Sequence, residues 1–218
     1  LIVSNIASGV NAAVTSNYKA TKSTANNKSN ADVVLNAADG INVDMVSAAG
    51  RFGYVINGGA SASTLQGSNF NDSITGNAGS DKLIGNRGSD TIEGGLGADI
   101  MNAGKGNGYI KDAGNGNDII THDIGSSLVI QNTGSDTVIL NASRAGVYVV
   151  ANAGGVRNIN ASTSTGSLTL DGSGAGENIV RYEGGSGDDT IKGSLASDVL
   201  IGNDGNDTIT GGLSADTI

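Results

Sequence analysis

A period of nine residues constrains this chain more than any other feature. It runs through two stretches. The first reads GSNFNDSIT at 67–75, GNAGSDKLI at 76–84, GNRGSDTIE at 85–93 and GGLGADIMN at 94–102. Each unit opens on Gly, holds Asp at its sixth place and an aliphatic residue at its eighth. The aspartates are Asp72, Asp81, Asp90 and Asp99, and the aliphatics are Ile74, Leu83, Ile92 and Met101. The next unit, AGKGNGYIK at 103–111, has Gly108 where the aspartate belongs. After one inserted residue near Asp112 the pattern resumes as AGNGNDIIT at 113–121, with Asp118 and Ile120. The second stretch reads GGSGDDTIK at 184–192, GSLASDVLI at 193–201, GNDGNDTIT at 202–210 and GGLSADTI at 211–218. Its aspartates are Asp189, Asp198, Asp207 and Asp216.

The letters of one unit dictate its shape. Gly and Asn tolerate left-handed backbone, so the first six residues suit a tight turn. The last three suit a short strand. Alternation then points the eighth residue inward and the seventh and ninth outward. Two such half-turns complete a rung. Carboxylates two units apart therefore stack on one edge, about one strand spacing (~4.8 Å) from each other. Stacked carboxylates repel unless a cation lies between them. Ca²⁺ fits, because it accepts roughly six to eight oxygens, turn carbonyls included, in flexible geometry. The plain alternative is that Asp merely favours turns and solvates a Gly-rich loop. In-frame recurrence and the need to cancel stacked charge favour the metal.

Composition agrees with a thin solenoid. The chain has 36 Gly, no Cys, no Pro, no Trp and two Phe, and aromatics are 3% of it, so large side chains cannot fill a thick core. Each layer of a solenoid needs only a few inward residues. The net charge is −9, and the 12 basic residues are scattered, so a nucleic-acid partner is not expected. Acidity alone could mean disorder, but the regular spacing of the acids argues against it. Without Cys there are no disulfides, and metal is the usual substitute in an extracellular domain. No apolar stretch approaches the ~20 residues of a transmembrane segment. Leu1–Val3 is too short for a signal peptide. The chain stops inside a repeat at Ile218, and we read it as a fragment or the ordered part of a longer protein.

The units GGLGADIMN, GGSGDDTIK and GNDGNDTIT resemble the RTX (repeats-in-toxin) nonapeptide G-G-x-G-x-D-x-U-x, so the ion assignment rests on that resemblance as well as on the letters. The resemblance covers 67–121 and 184–218. It implies that turns on the same edge sandwich each calcium ion. Carried onto this chain, Asp72 pairs with Asp90, Asp81 with Asp99, Asp189 with Asp207, and Asp198 with Asp216. Gly108 interrupts its column, and the insertion near Asp112 disturbs the Asp99/Asp118 site. Leu195-Ala196 and Leu213-Ser214 replace the usual x-Gly and are expected to loosen their turns. The resemblance also implies bacterial type I secretion and folding outside the cell.

The chain divides into four segments on this reading. Residues 1–66 are an Ala/Asn/Ser/Thr-rich β segment or solenoid cap, with a long polar loop at 15–32. Residues 67–121 are the first calcium-binding block. Residues 122–183 keep a related beat of aliphatic clusters and read as the same solenoid with longer, largely calcium-free turns. Two vestigial units lie there: QNTGSDTVI at 131–139 with Asp136, and GSGAGENIV at 172–180 with Glu177 as weaker ligands. Residues 184–218 are the second block. The expected fold is all-β, a right-handed parallel β-roll or β-solenoid with several structural Ca²⁺ ions.

Catalysis has little support in the sequence. His122 is the single histidine, and no Ser lies in G-x-S-x-G. Neither G-x-x-x-x-G-K nor G-x-G-x-x-G occurs. The chain is expected not to be an enzyme. Three roles remain open: an extracellular structural protein of a bacterial cell surface (S-layer, filament or adhesin) that assembles with copies of itself; a non-catalytic portion of a secreted hydrolase or toxin; and an ice-, sugar- or surface-binding solenoid, for which no flat rank of Thr or aromatics is present.

Overall fold

The computed structural model describes residues 10–27, 33–105, 109–123, 127–128, 132–141, 146–151, 155–175, 178 and 180–218. Among these residues every regular element is a strand, and the pairings are parallel. Two compact units divide the chain: Leu1–Asp118 with Ser126–Val129, and Ile119–Gly125 with Ile130–Ile218.

In the first unit Val10–Val14, Val33–Ala37, Val55–Asn57, Ser73–Ala78, Thr91–Leu96, Tyr109–Asn115 and Ser127–Leu128 form one parallel sheet. Tyr18–Lys19, Val43–Asp44, Thr64–Gln66, Lys82–Ile84 and Ile100–Asn102 form a second. The chain alternates between the two sheets, which makes this unit a β-solenoid. Rung length is read from the register. Val10 pairs with Val33 and Val34 with Val55, and both rungs are longer than two nonapeptides. From Val55↔Ser73 onward each rung is two nonapeptides, repeated at Ser73↔Thr91 and Thr91↔Tyr109. The second sheet shortens likewise, from a long rung at Tyr18↔Val43 to two nonapeptides at Leu65↔Leu83 and Leu83↔Met101.

The core is two columns of eighth-position side chains. Ile56, Ile74, Ile92 and Ile110 lie on one sheet and face Leu65, Leu83 and Met101 on the other, all at most 1% exposed. Each such burial contributes about 1.5–3 kcal/mol. This column begins before the first aspartate. Residues 49–57 and 58–66 are two further units in frame, with Tyr54 and Ser63 at the sixth place. The even spacing of Ile56, Leu65 and Ile74 is the sequence signal for them. The insertion in the 103–111 unit is absorbed as a β-bulge, where Ile92 pairs with Ile110 but Glu93 with Asp112.

The polar stretch at 15–32 is not one long loop where it is described. It holds the strands Tyr18–Lys19 and Ala25–Asn26, the latter paired with Ala49–Gly50. Composition hides them because their inward residues are small or polar. Ala20, Thr24 and Asn26 are buried, and the Asn26 side-chain amide donates to the Gly53 carbonyl at 2.6 Å.

In the second unit one sheet runs Ile119–Asp123, Asp136–Asn141, Val156–Asn160, Arg181–Glu183 and Val199–Ile201. Another runs Gly146–Ala151, Leu168–Gly174, Thr190–Lys192 and Thr208–Thr210. Rungs of two nonapeptides lie at Ile120↔Val138 and Tyr182↔Leu200. The rungs between them, Val138↔Ile159 and Ile159↔Tyr182, are longer. This unit too is a β-solenoid, with longer turns in its middle. Tyr182 fills an eighth position with a fully buried ring, made possible by Gly172, where an added Cβ would strike the phenol.

Candidate metal centre

The turns place the sixth-position carboxylates of both blocks in the same way. Each Oδ1 accepts a backbone N–H from the corresponding turn of the rung before. In the first block Tyr54 N–H donates to Asp72 (2.6 Å), Ser63 to Asp81 (2.7 Å), Asp72 to Asp90, Asp81 to Asp99 and Asp99 to Asp118 (2.8 Å each). In the second, Leu168 donates to Asp189 (2.8 Å), Val180 to Asp198 (2.9 Å), Asp189 to Asp207 (2.8 Å) and Asp198 to Asp216 (2.9 Å). The pairs expected from the repeat are thus brought onto adjacent rungs. The Asp99/Asp118 pair survives the insertion because the bulge returns the chain to register before the next turn.

These carboxylates are out of water. Asp72, Asp81, Asp90, Asp99, Asp118, Asp189 and Asp198 are at most 3% exposed, and Asp207 and Asp216 are half-buried. The second oxygen, Oδ2, is aimed back at the first Gly of its own turn. A Cβ built on Gly76 would lie 2.7 Å from Asp81 Oδ2, and one on Gly94 2.6 Å from Asp99 Oδ2. A glycine at the first place of these two turns leaves the carboxylate that room.

Oδ2 has two fates. In Asp81, Asp90 and Asp99 it is buried with no hydrogen-bond partner. In Asp72, Asp189 and Asp198 it accepts the N–H of the second residue of its own turn: Ser68 at 2.6 Å, Gly185 at 2.7 Å and Ser194 at 2.6 Å. A buried carboxylate oxygen without a donor is costly, and a cation is the natural counterpart. Burial pushes the Asp90 carboxyl up to about 7, with the neighbouring Asp72 charge adding to it. Burial likewise pushes Asp72 and Asp99 up to about 6 and raises Asp81, against the pull of the N–H donors.

Among the described residues no three carboxylate or imidazole groups converge. The carboxylates come as pairs, so a cation here would complete its shell with turn carbonyls, as the oxygen-loving, flexible calcium ion does. Left-handed backbone at the second and fourth places turns those peptides. It occurs at Asn77 and Gly79, Asn86 and Gly88, Gly95 and Gly97, Asn203 and Gly205, and Gly212 and Ser214. The expected loosening at Leu213-Ser214 is not seen in the backbone: Ser214 takes the left-handed conformation that Gly usually supplies. Leu195 and Leu213 point into solvent.

The weaker expected ligands fare differently. Asp136 is buried, and its N–H donates to the Gly155 carbonyl at 2.9 Å. Glu177 and Gly108 lie outside the described residues. The register Tyr182↔Leu200 makes Val180 the counterpart of Asp198, so the frame of the last vestigial unit is 175–183 and not 172–180. Val180 offers its N–H and no carboxylate.

The model of the RTX calcium-binding nonapeptide repeat (4 copies) matches the chain at residues 57–91, 75–110 and 183–218. The first match starts at 57, in keeping with the two-nonapeptide rungs that begin at Val55. No curated protein and no solved structure matches the chain. The chain therefore carries RTX calcium-binding repeats in two blocks, one in each of its β-solenoid units.

Proposed function

We propose that this carrier of RTX repeats is an extracellular structural protein of a bacterial surface, held folded by several calcium ions and assembling with copies of itself. The observation that carries the calcium part is the set of buried, donorless Oδ2 atoms of Asp81, Asp90 and Asp99. A bound calcium ion supplies the positive charge that these stacked carboxylates lack. Asp81 and Asp99 would hold an ion on one edge and Asp90 would contribute on the other. In the half-open turns of the second block, Asp207 and Asp216 would contribute. Extracellular calcium-binding modules work at about 10⁻⁴–10⁻³ M, far above the cytosolic level, so ion-dependent folding would follow export.

The structural role is supported by how far each solenoid unit extends past its repeats. The longer rungs, with Asn, Ser and Ala on their faces, continue the same design of stacked parallel strands. Outside the blocks, side chains take over the task of joining rungs. Asn57 donates to Asn36 at 2.8 Å and Asn36 to Asn11 at 2.5 Å, an amide ladder that needs no ion. The second reading is the non-catalytic portion of a secreted hydrolase or toxin, favoured by the match to the toxin-type repeat. Far-UV circular dichroism under exhaustive chelation tests the calcium part: the β signal should vanish and return with calcium, and an unchanged spectrum sinks it. Electron microscopy with calcium separates the roles. Sheets or fibres support the structural reading, and dispersed monomers support the second.

A further inference from the structure

The second and fourth places of the nonapeptide divide the turns into two kinds. In the open kind the second residue is Asn or Gly and the fourth Gly or Ser, both left-handed. The Asn side chain then reaches to the first-place carbonyl one rung earlier: Asn77 to Gly58, Asn86 to Gly67 and Asn203 to Gly184, each at 2.7 Å. In the open turns of Asp81, Asp90 and Asp99 the Oδ2 is left without a donor.

Two turns of the closed kind share a different pair of letters, GSNFND at 67–72 and GSLASD at 193–198. Each has Ser second and a residue other than Gly fourth. The Ser N–H donates to Oδ2 of its own aspartate, at 2.6 Å in both. The hydroxyl lies within donating distance of the same oxygen, at 3.0 Å for Ser68 and 2.8 Å for Ser194, its one proton shared with Asp72 Oδ1 and with the Asn178 carbonyl respectively, each at 3.1 Å. It accepts in turn the N–H of the fourth residue, Phe70 or Ala196, at 3.1 Å. Both serines are buried, at 0% and 2% exposure. Two donors thus converge where the open turns present a bare oxygen. Hydrogen bonds to a charged group are stronger than those between neutral groups, and an ion taking this oxygen would have to break them. The N–H and O–H dipoles also direct positive partial charge toward the place a cation would take.

We propose that Ser68 and Ser194 substitute for the cation in their turns, so that a serine at the second place marks an RTX turn of this chain that does not load calcium. The inference rests on the calcium reading above. The Asp72/Asp90 and Asp198/Asp216 pairs each have one closed member, whereas Asp81/Asp99 has none. Gly185 closes its turn through its N–H alone, at 2.7 Å, because its backbone is packed against the Ser164 carbonyl, where an added Cβ would clash. The turns that begin the second block therefore hold their shape without an ion.

The experiment counts calcium bound by the full chain in equilibrium dialysis, with calcium alone as the probe. Ser68→Asn with Phe70→Gly, and separately Ser194→Asn with Ala196→Gly, convert closed letters to open ones. Each pair should add about one ion per chain. The reverse variant, Asn86→Ser with Gly88→Ala, should lose about one and decides the matter should the first two fail to fold. Equal uptake by the parent and the variants overturns the assignment while leaving the calcium reading intact. No uptake by any of them, the parent included, overturns both.

Discussion

The two repeat blocks have the same letters and the same ladder, yet they stand in different states. In the first, Asp81, Asp90 and Asp99 are fully buried with bare Oδ2 atoms. In the second, Asp189 and Asp198 are buried but satisfied by their own turns, and Asp207 and Asp216 are half-buried. The difference teaches that a repeat's consensus sets where a carboxylate goes, while its electrostatic state depends on what covers and what donates to it. On the proposed calcium reading, the first block is the region that would depend most on a cation.

The comparison breaks most readily on calcium removal. Under chelation, amide hydrogen exchange read by mass spectrometry should show 73–105 losing protection at lower chelator concentration than 181–201. The opposite order would refute the contrast. Core truncation with calcium present should follow in size. Ile92→Ala, at a position 0% exposed, should cost about 2–5 kcal/mol in denaturant unfolding, while Ile209→Ala, half-buried, should cost about 1.5 kcal/mol or less.

Acidity gives a smaller and sign-specific effect. Asp90 sits at about 7 and Asp72 and Asp99 at about 6 in the folded chain, above the ordinary 3.8. Between those values the folded state holds more protons than the unfolded one, so without calcium the fold gains stability as pH falls from about 7 toward about 4. The chelated chain should therefore recover β signal in circular dichroism near pH 5, with protection returning first in the first block. A stability that instead falls with acid would contradict the burial of these charges. The smallest effect is that of charge deletion under chelation. Asp90→Asn removes a buried charge and should stabilise the ion-free chain by about 1 kcal/mol, whereas Asp207→Asn should change it by about 0.5 kcal/mol or less. The pH at which each chelated variant regains its β signal, higher for Asp90→Asn than for the parent and little moved for Asp207→Asn, checks both.

Much of this molecule was legible in the letters because its physics is local. Gly and Asn at turn places, Asp at the sixth and an aliphatic residue at the eighth name the turn, the buried carboxylate and the inward side chain without any long-range information. The ladder of Asp72, Asp81, Asp90, Asp99 and Asp118 and that of Asp189, Asp198, Asp207 and Asp216 follow from one rule, the rung of two nonapeptides. The two units before Asp72 carry the same beat in Ile56 and Leu65. The aspartate pattern does not reach them, because Tyr54 and Ser63 stand at their sixth places.

What lay beyond the letters was decided by neighbouring rungs. The longer rungs admit several registers, and only the packed sheets chose the one that puts Tyr182 beside Leu200 and Val180 in the place of an aspartate. The strands at Tyr18–Lys19 and Ala25–Asn26 exist because Val43–Asp44 and Ala49–Gly50 are there to pair with them. The nine-residue period, by itself, determined that this chain coils into rungs and stacks its carboxylates, since turn propensity and alternation act within one unit. Whether a second-place glycine leaves Oδ2 bare, as Gly95 does, or closes on it, as Gly185 does, was settled only in the tertiary structure. That choice depends on which way a peptide turns against the rung before it.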